Sequence, residues 1–201
     1  MPVSITGQVY ALAESQHGYF TSAQAKAGGL RPNTLVAMAR RGVTERVSRG
    51  VYRLASYPVF PHGAYMEAVL WPQRGVTGVI SHQSALAFHG LSDVSPATIH
   101  LTVRPEHRVR RGIPHHLTLH YAVLEDGDVD VLDGIPVTTP VRSILDASAA
   151  HLSRSLIRQA IEDGRRTGKL LEREATHLAA RLGDGSRDDQ TPRKAMKTGP
   201  R

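Results

Sequence analysis

Apolar residues in the first quarter of the chain recur at helical spacing, in short blocks broken by glycine. Ile5, Val9, Leu12 and Ala13 share one helical face, which predicts an amphipathic helix over residues 4–15. Gly18-Tyr19-Phe20 interrupts that pattern. Thr21-Ser22-Ala23-Gln24 then fits a capping box. The threonine hydroxyl can accept from the backbone N–H three residues on, and the glutamine can reach back. A short helix to about residue 27 follows and stops at Gly28-Gly29. Pro32 suits the first turn of a third helix, where its missing N–H costs nothing. Leu35, Met38 and Ala39 form the apolar face of that helix, and Gly42 suits its left-handed C-terminal cap. Residues 43–54 read as a hairpin, with Ser48-Arg49-Gly50 as a three-residue turn between Val47 and Val51.

Pro58, Pro61 and Gly63 punctuate the chain as a short linker, and the pattern changes beyond them. A short helix over 65–71 ends at Pro72, residues 76–80 suit a strand, and Ser81 can cap a helix running to Gly90. Ile99, Leu101 and Val103 then alternate with Thr98, His100 and Thr102. Leu117, Leu119 and Tyr121 repeat this, with Thr118 and His120 opposite. Two shorter strands flank the turn dipeptide Asp133-Gly134. Thr139-Pro140 opens a helix with Ile144, Leu145 and Ala149 inward. Further helices are expected over 153–167, with Leu156, Ile157, Ala160 and Ile161 inward, and over 171–182. From Gly183 the chain loses apolar periodicity and is expected to be a disordered basic tail. The division is therefore 1–57, 62–182 and 183–201, and the fold class is α+β.

Helix, short helix, tight turn, helix and hairpin is the element order of a winged helix-turn-helix. With the core stripe inward, a step of about 100° per residue turns Asn33, Ala37 and Arg40 outward. Thr34, Val36 and Arg41 flank them. An amide, a methyl and guanidinium groups are the chemistry used on base edges and phosphates. The hairpin adds Arg46 at its base, Arg49 at its tip and Arg53 on the return strand. Charge changes the picture here. The 201 residues carry a net +7, and residues 1–60 hold seven Lys/Arg against two acids. Residues 61–180 hold twelve against thirteen, so the polyanion-seeking charge belongs to the first unit. Winged helices also serve as dimerisation or docking modules, and arginine-rich faces can be simply solvated, so those readings stay open.

Other chemistries find little support. With no cysteine, disulfide scaffolds, thiolate metal sites and cysteine nucleophiles are excluded. No apolar run reaches the length of a membrane span, and the N-terminus lacks the parts of a signal peptide, so a cytoplasmic protein is expected. Ten of the eleven histidines lie beyond residue 60, which raises a metal reading, yet no HExxH or three-ligand spacing occurs. His100 and His120 read as solvated residues on the polar faces of their strands. The cluster Asp126, Asp128, Asp130 and Asp133 has the wrong order for an EF-hand. No GxSxG elbow, P-loop, GxGxxG or Glu-x-Lys occurs, so no catalytic residue, metal or cofactor is assigned.

Gly18-Tyr19-Phe20-Thr21, RPNTLVAMARRG and VSRGVYRL together resemble the N-terminal winged helix of AbiEi-type antitoxins of type IV toxin–antitoxin systems. VISHQSALAFHGLSD, PATIHLTV and IPVTTPVRSILDASA are similar to segments of that family's C-terminal domain. The resemblance implies a transcriptional autorepressor that binds promoter inverted repeats in double-stranded DNA. It also implies an antitoxin acting against a nucleotidyltransferase-like toxin encoded nearby, without a stable complex. The DNA-reading positions it implies are Asn33, Thr34, Ala37, Arg40 and Arg41 on the third helix, with Arg46 and Arg49 on the wing. Some relatives carry a Vsr-like endonuclease after these domains, which is not expected here. Three roles remain open: autorepressor with antitoxin activity, stand-alone transcription factor with a ligand-sensing or dimerising second domain, and docking module that never meets DNA.

Overall fold

A capping box and four left-handed glycines, Gly18, Gly29, Gly42 and Gly50, set the local geometry of the N-terminal unit. The computed structural model describes residues 5–72 and 75–183, so most of the expected tail lies outside the described residues. Helix α1 (Ile5–Glu14) buries Val9 and Ala13. Strand β1 (Tyr19–Thr21) follows, where the sequence pattern offered only an interruption. Its three residues are buried and pair antiparallel with β3 (Val51–Leu54). Gly18, at φ +88°, makes the entry possible, because a side chain there would be strained and would collide with Tyr57. Helix α2 (Ser22–Ala27) begins with the capping box. The Gln24 N–H donates to the Thr21 hydroxyl at 3.1 Å, and the Thr21 N–H donates to the Gln24 side chain at 2.8 Å.

Helix α3 (Pro32–Arg40) has proline in its first turn and buries Leu35 and Met38, with Ala39 half-buried. Strand β2 (Thr44–Ser48) completes a three-stranded antiparallel sheet in the order β1-β3-β2. The hairpin is tighter than expected. Ser48 pairs with Val51, so the turn is Arg49-Gly50, and the extra residue appears as a bulge between Arg46 and Ser48. Gly50, at φ +79°, takes the left-handed position this turn demands. Phe20, Leu30, Leu35, Met38 and Leu54 close the core of the unit with Val9, Ala13 and Ala25.

Beyond residue 62 the order is α4 (Gly63–Leu70), β4 (Val79–Ile80), α5 (His82–His89), β5 (Ile99–Val103), β6 (Leu117–Tyr121), β7 (Val129–Leu132), β8 (Ile135–Thr138), α6 (Pro140–Ala149), α7 (Arg154–Arg166) and α8 (Glu172–Gly183). The five strands form one mixed sheet, β6-β5-β4-β8-β7. β5–β6 and β4–β8 are parallel, while β4–β5 and β7–β8 are antiparallel. Mixed helices and sheets make the fold α+β. The alternation in 99–103 decides the faces: Leu101 joins Ile80, Ile135 and Val137 against Met66, Val69 and Trp71 of the α4 region. A separate helical core holds Leu86, Ile144, Ile157, Ile161 and Leu178. Ser81 does not cap α5 with its side chain. Its hydroxyl is held instead by the Thr102 hydroxyl at 2.8 Å and by His82 Nδ1 at 2.9 Å.

The segment between the two sheets is packed rather than loose. Phe60 stacks on His17 with ring centroids 3.8 Å apart, and His62 lies 3.6 Å from Asp133. Tyr19 and Val51 of the first sheet share a buried cluster with Met66 and Val69 of α4. At Gly63 a side chain would strike the Tyr19 hydroxyl, so glycine permits the close approach.

Candidate nucleic-acid interface

Burial of Leu35 and Met38 fixes the opposite face of α3. Asn33, Ala37 and Arg40 are exposed there, as the helical step requires, and Thr34 is half-buried beside them. Val36 flanks the face at 47% exposure, an apolar surface of the kind that contacts thymine methyl groups. Arg41 is exposed and donates from Nε to the Ala37 carbonyl at 3.3 Å, so it also closes the last turn of the helix. No side chain caps the N-terminus of α3; Pro32 has no N–H to satisfy, and the Thr34 N–H donates to the Arg31 carbonyl at 2.9 Å.

The three hairpin arginines separate in role. Arg46 and Arg49 are exposed, and Arg46 Nε donates to the Ser48 carbonyl at 3.4 Å across the bulge. Arg53 is only 15% exposed and is committed to the protein. It donates to Glu45 at 3.2 Å and to the Tyr57 carbonyl at 3.3 Å. Glu45 is the only acid in residues 31–57, against six arginines, so Arg53 consumes that carboxylate as a strut. The positions expected to meet DNA therefore divide between α3 and the hairpin, which β2 joins to α3 after residues 41–43.

The second unit holds a different constellation. His100 and His120 are not solvated. They are half-buried on neighbouring strands, with His100 Nδ1 3.0 Å from His120 Nε2. The His82 ring stacks on His120 at 3.5 Å between centroids. Burial, reinforced by His120 and His100, pushes His82 down to about 3. Burial also lowers His100 and His120 from their ordinary value. Nearby, Arg142 bridges Asp146 and Asp128, at 2.8 Å each. Burial, together with the neighbouring Asp128, holds the Asp146 carboxyl above its ordinary value despite Arg142. Among the described residues no group of three or more His, Asp or Glu is placed to hold a metal ion. The only sequence signal for this cluster was a histidine at a polar position in each of two alternating strands.

Residues 8–55 match the family described as transcriptional regulator, AbiEi antitoxin. The match is confined to the N-terminal unit. The matched span runs from within α1 to the end of β3 and contains every position singled out above on α3 and the hairpin. The AbiEi family is one of regulators and antitoxins. No curated protein matches the chain. Among solved structures, the chain is similar to the crystal structure of the RV2827C protein from Mycobacterium tuberculosis. The TM-score is 0.50 at 13% identity, covering 88% of this chain and 71% of that one, a likeness of fold. No helix among the described residues is long and apolar enough to cross a membrane.

Proposed function

We propose that the chain is a DNA-binding transcriptional autorepressor whose residues 1–57 act as a winged helix-turn-helix. Asn33, Thr34, Ala37, Arg40 and Arg41 meet base edges and adjoining phosphates in the major groove, and Arg46 and Arg49 of the wing grip the backbone. The observation that carries this reading is the exposed Asn33–Ala37–Arg40 face opposite the buried Leu35 and Met38, within the span that matches the AbiEi family. Fluorescence anisotropy tests it, using a duplex from upstream of the chain's own gene and a scrambled duplex of equal length. Tighter binding to the native duplex, weakening steeply with salt, is expected. Equal, salt-insensitive binding to both would refute it.

The antitoxin part of the reading belongs to residues 62–182, acting against a nucleotidyltransferase-like toxin without a stable complex. The charge partition supports it: the basic unit suits a polyanion, whereas the near-neutral unit does not. Rescue of growth on co-expression with a toxin encoded beside this gene is the test, and failure of rescue at normal protein level refutes the antitoxin role.

A further inference from the structure

The near-neutral charge of residues 61–180 conceals a strong local segregation. Residues 104–111, RPEHRVRR, contain four arginines and one acid, whereas residues 125–133 contain five acids and no base. The basic stretch is the β5–β6 connection, and it is anchored to the body at several points. Arg111 donates to the Trp71 carbonyl, and its guanidinium lies 4.2 Å from the centroid of the Trp71 ring. Arg108 stacks over Tyr121 at 5.2 Å, and Val109 packs on the buried cluster around α4. Arg104, Arg108 and Arg110 are nevertheless exposed. A segment held this way can present cations at low entropic cost.

The loop faces the hairpin tip. Arg49 lines one groove, of about 720 Å³, together with Glu106, Arg108, Arg110 and Arg111. Four guanidinium groups against a single carboxylate give the groove an excess of positive charge that suits an anion. Planar guanidinium forks match phosphate oxygens bidentately, and Arg108 and Arg111 are further oriented by their aromatic supports. We infer that this groove grips the DNA backbone, so that DNA read by α3 continues across the second unit on the β5–β6 loop. The inference rests on the proposed DNA-binding reading and extends it: the second unit becomes part of the DNA footprint. A duplex is favoured over an acidic protein because the groove begins at Arg49, the tip of the proposed wing, where a phosphate backbone leaves the α3 contact.

The test compares full-length wild type with Arg108→Gln/Arg110→Gln and with Arg110→Gln alone. Each is titrated against the native and scrambled duplexes across a salt series, with circular dichroism melting as the folding check. The single variant touches only an exposed side chain, so it stays informative if the double variant loses stability. Each phosphate contact adds about 0.9 to the salt slope and about fivefold in affinity near 0.15 M salt. The double variant should therefore flatten the slope by up to about two and weaken both duplexes by roughly fivefold to thirtyfold, leaving their ratio unchanged. If wild type binds but neither variant alters slope or affinity, the groove inference fails while the DNA-binding reading stands. A loss confined to the native duplex overturns it too, since the loop would then read bases. Competition by polyglutamate as strong as by scrambled duplex would assign the groove to an acidic protein instead. If wild type binds no duplex, both readings fall together.

Discussion

The two sheets handle charge in opposite ways. Around the three-stranded sheet, Arg40, Arg41, Arg46 and Arg49 point into solvent, and the single nearby acid is taken by Arg53. Around the five-stranded sheet, ionisable groups turn inward and answer one another: Arg142 between Asp128 and Asp146, and three histidines stacked as neutral rings. Exposed cations contribute little to folding and much to meeting a polyanion. Inward groups do the reverse, because desolvation makes each depend on its partner. The first region thus turns its cations outward and the second uses its charges for cohesion, with the β5–β6 loop as an outlying basic element.

The sharpest way to break this contrast is to remove the inward cation. Arg142→Met should destabilise the fold by about 3 kcal/mol, because Asp146, 15% exposed, loses both its ion pair and its hydrogen bond. Denaturant melts check it, and DNA affinity measured well below the transition should not change. A neutral effect on stability would mean that the pair is no more than a solvated surface bridge.

Acid should act next most strongly, and on the second unit. In the unfolded chain an imidazole takes up its proton near pH 6.5, whereas folded His82 stays neutral down to about 3. Between those values the unfolded state binds more protons, so stability falls as pH drops below about 6.5. At pH 5 the loss from His82 alone comes to about 2 kcal/mol, and the lowered His89, His100 and His120 act in the same direction. His82→Gln should flatten the profile of melting temperature against pH. A profile unchanged by that substitution would contradict the neutral, buried state of the ring.

The outward arginines should leave stability within about 0.5 kcal/mol and change binding instead. Arg40→Ala should cost about 1–3 kcal/mol of discrimination between native and scrambled duplexes. Arg49→Ala should lower both affinities alike and flatten the salt slope by about one. A binding-site selection showing relaxed specificity for Arg49→Ala and not for Arg40→Ala would exchange the roles of helix and wing. The smallest expected effect is none: the Arg40→Ala/Arg49→Ala double variant should lose repression of its promoter yet keep any rescue of growth against a neighbouring toxin. Loss of rescue at normal protein level would place antitoxicity on the DNA-binding face and dissolve the division between the two regions.

Local chemistry decided much of this molecule in advance. The Thr21–Gln24 capping box, Pro32 in the first turn of α3, left-handed Gly42 and Gly50, and the 99–103 strand depend on neighbours within a few residues, and each forms as the sequence implies. The outward face of α3 follows from the same short-range periodicity. Other features needed partners distant in the chain. Strand β1 is three residues long, too short to show a period, and is a strand because β3 supplies its hydrogen bonds. Ser81 gives up its capping role because the tertiary fold brings the Thr102 hydroxyl to it. His82, His100 and His120 meet only when β5 and β6 pair in parallel under α5, and the desolvation that neutralises them has no trace in composition. The basic β5–β6 loop was written in the sequence but averaged away by the acids of residues 125–133, and its place beside Arg49 belongs to the packing of hairpin against loop. Short-range periodicity and capping are properties of the chain, whereas which charges face water, and which face one another, is settled only when distant segments exclude solvent together.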